Sequence, residues 1–343
     1  MLESIIRVWE KLTESNKAQA RTFLNYLLIQ QESGPAEEAV PVKTPFSDYI
    51  EKWFNLYKTG LAKTTVSFYL AKKRRLLKAF GEMYIEDITP DDVQRFISER
   101  SATCSKKTVH HDLATLRDVM NSAVADGLIQ KNPAKDHRIH NSAPLSNGTD
   151  ALKKEQIAAI QRDIPTLADP VERCLIALLA YTSMRREEVL GLKWENVDFR
   201  RNIIRIERAV VYAGGHMYEK GTKTEKSVRE FPMVPELRRI LRECRQKRGY
   251  VVYGESADRP IESYNRYDRL WKSLRSHIEL FGATARNFRT TFATLAIAAG
   301  IDVKTTQGLM GHSRSKMTLD VYAKVDTSRF VPAITKLSKF VMA

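Results

Sequence analysis

Two stretches without hydrophobic periodicity divide this chain of 343 residues. Residues 31–45 (QESGPAEEAVPVKTP) hold three prolines, and residues 132–152 (NPAKDHRIHNSAPLSNGTDAL) are polar and rich in turn formers. Neither can present a continuous apolar face to a core, so each reads as a linker. The periodic segments between them must therefore fold as separate units, which suits a length of about two domains.

Before the first linker, residues 1–30 read as helix. Ile5, Trp9 and Leu12 share one stripe, and Phe23, Leu24, Leu27 and Leu28 a later one. This segment either packs on its own chain or docks a partner. Residues 46–131 read as an all-α module of four helices with short connections. Phe46–Tyr57 and Lys63–Phe80 are the first two. The third opens with Thr89 as N-cap, Pro90 in the first turn, and Asp91 and Asp92 at the positive end. The fourth runs from about Ser105 to Asp126, carries the stripe Val109, Leu113, Leu116, Met120 and Val124, and stops at Gly127. The cluster Lys72, Lys73, Arg74, Arg75 is either a solvated helix face or a set of DNA-phosphate contacts, and Lys106 and Lys107 join it as candidate DNA-binding residues. His110 and His111 read as surface polar residues.

Residues 153–328 form a mixed α+β unit, mostly helical with a small sheet. Val171–Tyr181 reads as a buried helix. Asn202–Tyr212 alternates and reads as one strand, with Ser227–Met233 and Tyr250–Tyr253 as further strand candidates. Helices dominate after Tyr264. At the end, Phe330, Ile334, Leu337 and Val341 recur at helical spacing over 329–343.

Charge and cysteine usage narrow the partners. The formal net charge is +15, and residues 151–343 carry 35 of the 56 Lys and Arg but only 22 of the 41 Asp and Glu. A polyanion is the first expectation, although anionic lipid or acidic protein would also suit. Cys104, Cys174 and Cys244 are far apart and show no CxxC spacing, so neither a disulfide framework nor a zinc site is suggested. No signal pattern opens the chain and no apolar run is long enough to span a bilayer. A cytoplasmic protein without a membrane partner is expected.

Four short segments of the basic half carry the chemistry. Tyr181–Trp194 (YTSMRREEVLGLKW) ends one helix, turns at Arg185, and restarts with Glu188 three residues on. Lys223–Arg229 (KTEKSVR) leads into a strand. Arg286–Thr294 (RNFRTTFAT) places Arg286 and Arg289 on one helix face. Gly308–His312 (GLMGH) precedes Tyr322 by ten residues. In order and spacing these resemble the motifs of the tyrosine recombinase (phage integrase) family: a TGxRxxE turn, a KTxxSxR hairpin lysine, an HxLRHTFAT helix, and an LLGHxxxxxTxxxY ending. The resemblance spans roughly residues 46–330, and the helical module is similar to the family's core-binding domain.

The resemblance implies a mobile-element integrase that cuts and rejoins duplex DNA through a 3′-phosphotyrosyl link. Tyr322 is the implied nucleophile. Arg185 and Arg289 would stabilise the pentacoordinate phosphate, since a planar guanidinium fork binds two phosphate oxygens and stays charged. Lys223 would be the general acid for the departing 5′-oxygen, with Lys220 and Lys226 as alternatives in the same loop. His312 would hydrogen-bond the phosphate and Glu188 would orient an active-site arginine. No metal or other cofactor is implied. Two departures stand out. Ser183 replaces the Gly of the turn, and Arg286 stands where the family has His, which removes any proton shuttling there and offers an extra phosphate contact. The implied partners are recombination-site DNA clamped between the two units, a homotetramer on that DNA, and an accessory bending or excision factor. The last helix folds on its own domain or is exchanged between protomers. Type IB topoisomerase chemistry and a non-catalytic DNA-binding regulator are the alternatives.

Overall fold

The computed structural model describes residues 43–146, 148–221 and 228–311, with Thr13, Asn16, Lys17 and Arg21 standing alone before them. The helix expected over 329–343 and nearly all of that over 1–30 lie outside the described residues. The chain divides into two compact units. One comprises residues 43–59 and 72–144, the other 60–71 and 145–311.

The first unit is built on helix α1 (Phe46–Tyr57), the part of α2 (Lys63–Phe80) from Lys72 onward, α3 (Pro90–Thr103) and α4 (Lys106–Ala125). Thr89 and Asp92 cap each other at the start of α3: Asp92 N–H donates to Thr89 Oγ1 at 3.3 Å, and Thr89 N–H to Asp92 Oδ2 at 3.0 Å. Gly127, at φ 77°, follows the end of α4. Phe46, Phe80 and Phe96 centre the core, with ring centroids 5.6 and 5.3 Å apart along the series.

Beside this core sits a charged cluster that corrects one expectation. Asp112 is fully buried and faces Lys72 Nζ at 3.0 Å, Arg75 Nη1 at 3.2 Å and Arg100 Nε at 3.1 Å. Lys72 is itself only 6% exposed. A lysine turned inward onto a buried carboxylate has no reach left for DNA, so Lys72 is a structural charge and not a phosphate contact. The neighbouring Lys73 pairs with Glu51 and lies over the Phe54 ring at 4.8 Å. Arg74 is exposed. The second expected linker is also less free than its composition suggests. Arg117 Nε donates to Ala134 O (2.8 Å), His140 N–H to Gln94 Oε1 (2.7 Å), and Lys106 N–H to Pro144 O (2.7 Å). These bonds hold the 132–144 backbone to α3 and α4, and the division between units falls after Pro144.

The second unit begins with α5 (Lys154–Asp163), α6 (Pro170–Tyr181) and α7 (Arg186–Gly191). Short strands follow: β1 (Val197–Asp198), β2 (Ile203–Ile206), β3 (Arg208–Ala213), β4 (His216–Gly221) and β5 (Arg229–Pro232). Then come α8 (Pro235–Glu243), α9 (Tyr264–His277), α10 (Ala285–Ala298) and α11 (Val303–Met310). Helix α6 is the axis of the core. Its consecutive Leu175, Ile176, Ala177 and Leu178 are all fully buried, as a helix apolar on every side must be.

The strands differ from expectation in two places. Asn202–Tyr212 is not one strand. It breaks at Glu207, because β2 pairs antiparallel with β1 and β5 whereas β3 pairs with β4. Tyr250–Tyr253 is not a strand either. Tyr250 makes a single bridge to Lys193, and the turn Trp194–Asn196 leaves that bridge no ladder to extend into. Tyr250, Val251 and Val252 are β-formers by type, but here they are apolar for burial, at 4%, 1% and 0% exposed. Gly191 ends α7 against β3, where a Cβ would lie 2.8 Å from Ala209 Cα. Only glycine allows that approach, which sets the turn at the start of α7 over the sheet.

Candidate active site

The turn between α6 and α7 carries the first motif. Thr182 caps α6 through Leu178 O, and its Oγ1 also accepts from Met184 N–H at 3.2 Å. Arg185 is the N-cap residue of α7, and its N–H donates to Glu188 Oε2 at 2.8 Å. Here the acidic residue of the motif closes the helix start and so fixes where the Arg185 side chain leaves the backbone.

Glu188, 8% exposed, is the hub of the site. Its Oε1 accepts from Arg185 Nη1 (2.8 Å) and Arg229 Nη1 (3.0 Å), and its Oε2 from Arg229 Nη2 (2.7 Å) as well as the Arg185 amide. Burial pushes its carboxyl up, but the Arg229 fork and then the Arg185 bonds overcome that and hold it at about 2. Glu188 is therefore ionised throughout the physiological range.

Three arginines converge on the C-terminal carbonyls of α11. Arg289, in the second turn of α10, donates to Met310 O at 2.6 Å and to Ser183 O. Arg185 Nη2 donates to Gly311 O at 3.2 Å, and Arg229 Nε to Leu309 O at 3.2 Å. Ser183 Oγ shares Leu309 O at 2.6 Å. The last carbonyls of a helix lack intrahelical partners and form its negative end, so guanidinium donors suit them. Burial, and then the charge of Arg185, push Arg289 down to about 9. It stays protonated at neutral pH, and the crowding of like charge makes an incoming anion favourable.

These groups open onto a cleft of about 670 Å³ whose lining includes Arg185, Arg286 and Arg289 together with Tyr264, Tyr267 and Trp271 of α9. Arg186 lies over the Tyr264 and Tyr267 rings at 5.8 and 5.3 Å. Arg286 is exposed and makes no ion pair among the described residues.

The structure thus brings together Arg185, Glu188, Arg286 and Arg289 among the residues singled out from sequence. Lys223, His312 and Tyr322 lie outside the described residues. Lys223 falls in the 222–227 connection from β4 to β5, and His312 directly follows Gly311. Among the expected DNA contacts, Arg74, Lys106 and Lys107 are exposed, Arg75 is shared with Asp112, and Lys72 and Lys73 are engaged within their own unit. Sequence reasoning passed over Arg229 and the aromatic wall. Arg229 closes the KTEKSVR segment, in which the lysine is the residue the family motif marks, and Tyr264, Tyr267 and Trp271 stand at helical spacing beside Arg275. Ser183 is also more than a tolerated substitute for glycine. Its φ is not positive, and its buried hydroxyl bonds the end of α11. Among the described residues no group of three or more His, Cys, Asp or Glu could hold a metal, and no helix is long and apolar enough to cross a membrane.

Solved structures share this fold. The Tn1549 transposon integrase in complex with a circular intermediate DNA superposes with a TM-score of 0.71 at 20% identity, over 86% of this chain and 99% of that one. A lambda integrase dimer bound to a COC′ core site gives 0.62 at 15%, over 89% and 87%. In sequence, the integrase of Mycobacterium phage L5 is 25% identical over 359 residues, covering 97% of this chain and 92% of its own. A "Tyrosine recombinase XerC-like" protein of Caldanaerobacter subterraneus subsp. tengcongensis is 25% identical over 329 residues, covering 85% and 82%. The profile of the phage integrase N-terminal SAM-like domain matches residues 45–100. The profile of the Phage integrase family matches residues 150–329, the stretch that holds the arginine cage and all four motifs. Spanning more than half of the sequence, that match makes this chain a member of the phage integrase family, the tyrosine recombinases.

Proposed function

We propose that the chain is a site-specific DNA recombinase that integrates and excises a mobile element by transesterification through Tyr322. The observation that carries this reading is the cage at the cleft: Arg185, Arg229 and Arg289 surround one saturated carboxylate and leave two positive charges in excess. Arg185 and Arg289 each spend two of five N–H groups on the described residues, so about three apiece remain for phosphate oxygens. Arg286, at the lip of the cleft, adds a further donor.

In this reading the scissile phosphate enters the cleft and its charge is matched by Arg185, Arg289 and Arg286. The Tyr322 phenol gives up its proton to solvent as its oxygen bonds to phosphorus, the bond to the 5′-oxygen breaks, and Lys223 passes a proton to that oxygen. His312 donates a hydrogen bond to the phosphate. The ester energy is retained, so a 5′-hydroxyl from another strand reverses the step and joins the new partner. Four such strands in one exchange call for a tetramer. In the helical unit, Arg74, Lys106 and Lys107 supply backbone contacts. Lys106 and Lys107 occupy the first turn of α4, where positive charge opposes the helix dipole and a bound phosphate relieves it. Action on intracellular DNA places the protein in the cytoplasm, and accessory bending or excision factors would set the direction.

The test is a selection from a random-sequence library of nicked duplexes for those that become covalently attached to the full chain. The expected result is a defined core sequence joined through a 3′-phosphate to Tyr322, with no adduct from Tyr322→Phe. Relaxation of supercoiled plasmid with no sequence preference would overturn the recombinase reading in favour of type IB topoisomerase action. Sequence-specific binding without any adduct would leave a DNA-binding regulator.

A further inference from the structure

Resting on the recombinase reading above, we infer that Arg229 is a positioning residue that neutralises Glu188 and so leaves Arg185 its full charge for the phosphate. All three nitrogens of the Arg229 guanidinium are committed inside the protein: Nη1 and Nη2 to the two oxygens of Glu188 at 3.0 and 2.7 Å, and Nε to Leu309 O at 3.2 Å. Its side chain is 11% exposed, against 38% for Arg185. One arginine is thus spent within the protein, and the other keeps donors at the cleft.

The division follows from charge. A buried carboxylate beside a single arginine would cancel it, leaving a neutral pair with no pull on an anion. The second guanidinium takes Glu188 in a two-point fork, the strongest form of such a pair, and Arg185 then meets it with one nitrogen only. Glu188 can still orient Arg185 without quenching it.

Arg229 also ties together three segments that carry candidate catalytic residues. It opens β5, two residues after the 222–227 stretch that holds Lys223. It grips Glu188 in the α7 turn of Arg185. It lies against Gly311, the residue before His312, so closely that a Cβ there would fall 2.9 Å from Arg229 Nη1. Gly311 has φ 61°, so a side chain at this point would be strained as well as crowded.

The experiment measures single-turnover adduct formation on the nicked duplex selected by the wild-type chain, together with its affinity for the uncut duplex. Arg229→Ala should slow adduct formation by about a hundredfold, on the scale of losing one transition-state donor, while duplex affinity changes less than about threefold, since Arg229 touches no DNA. Arg229→Lys should recover part of the rate. The deciding variant is Arg229→Ala with Glu188→Gln. Once the carboxylate charge is gone its neutraliser is no longer needed, so the double variant should outpace Arg229→Ala alone. A merely structural arginine would leave the double variant no faster, and that outcome overturns the inference. So does an Arg229→Ala enzyme with wild-type rate, or one that loses affinity and rate in equal measure. If circular dichroism shows Arg229→Ala unfolded, the Arg229→Gln pair with and without Glu188→Gln is read by the same criterion. Failure of the wild-type chain to form any adduct would instead overturn the recombinase reading, before any variant is compared.

Discussion

Lys72 and Arg74 stand two residues apart in one basic run, yet their substitution should have opposite consequences. Lys72→Ala removes one of three charge-assisted bonds to the buried Asp112. Bonds of that type contribute about 2 kcal/mol each. Arg75 and Arg100 remain, so the cost stays below the roughly 3–5 kcal/mol expected when a buried charge loses its pairing outright. For a helical unit of this size, about 4–8 °C is lost per kcal/mol, so its melting transition should fall by roughly 8–16 °C. Arg74 is exposed, and Arg74→Ala should change stability by no more than about 0.5 kcal/mol. If it contacts a phosphate, the slope of log affinity against log salt should flatten by about 0.9. The assay is thermal melting of the full chain by circular dichroism, with duplex binding by fluorescence anisotropy between about 50 and 200 mM salt. A Lys72→Ala protein that melted like wild type but showed a flattened salt slope would refute the reasoning, because it would place that ammonium on DNA.

Three further outcomes are expected. Glu188 has its folded value lowered to about 2 from a usual 4.5, so its contribution is complete above about pH 5 and is lost as pH falls toward 2, with a size on the order of 3 kcal/mol. The stability gap between wild type and Glu188→Gln in urea titrations should therefore shrink across that window, and a gap independent of pH would contradict the assignment. Gly191→Ala forces a methyl against Ala209 backbone at 2.8 Å and should destabilise the second unit by about 1–3 kcal/mol, read as a lower urea midpoint. Arg286→Ala should slow adduct formation by at least about tenfold with little change in melting, since Arg286 is exposed and makes no ion pair among the described residues. Full activity would show that it supplies no phosphate contact.

Much of this was legible in the sequence because local chemistry repeats it. The four helices of the first unit follow from apolar stripes, and the α3 boundary from Thr89, Pro90 and Asp92, which cap as their types require. Arg185, Glu188 and Arg289 meet because short motifs fix them on turns and helix faces. The strands were less legible. A β-rich run shows that residues will be buried or extended, but it does not show which neighbour will accept their hydrogen bonds. Asn202–Tyr212 alternates as one strand would, yet it serves two sheets. Tyr250–Tyr253 has strand composition, yet its backbone bonds go to the Ala257 and Leu192 carbonyls in separate loops.

Arginine and lysine roles were the least legible, for a related reason. A basic residue in a motif or a cluster announces only that a charge is present. Whether that charge reaches a substrate depends on how many of its donors the protein has already used. Lys72 is turned onto Asp112, and Arg229 has all three nitrogens bonded inside the fold. Arg185 and Arg289 keep donors although they sit within the same cage. The two kinds depend on each other. Without cations spent on Asp112 and Glu188, those buried carboxylates would draw on the nearest remaining basic groups, which in the second unit means Arg185. A net charge of +15 therefore overstates the charge offered to DNA. The fraction that is offered is set in part by Asp112 and Glu188, the buried carboxylates that hold cations inside each unit.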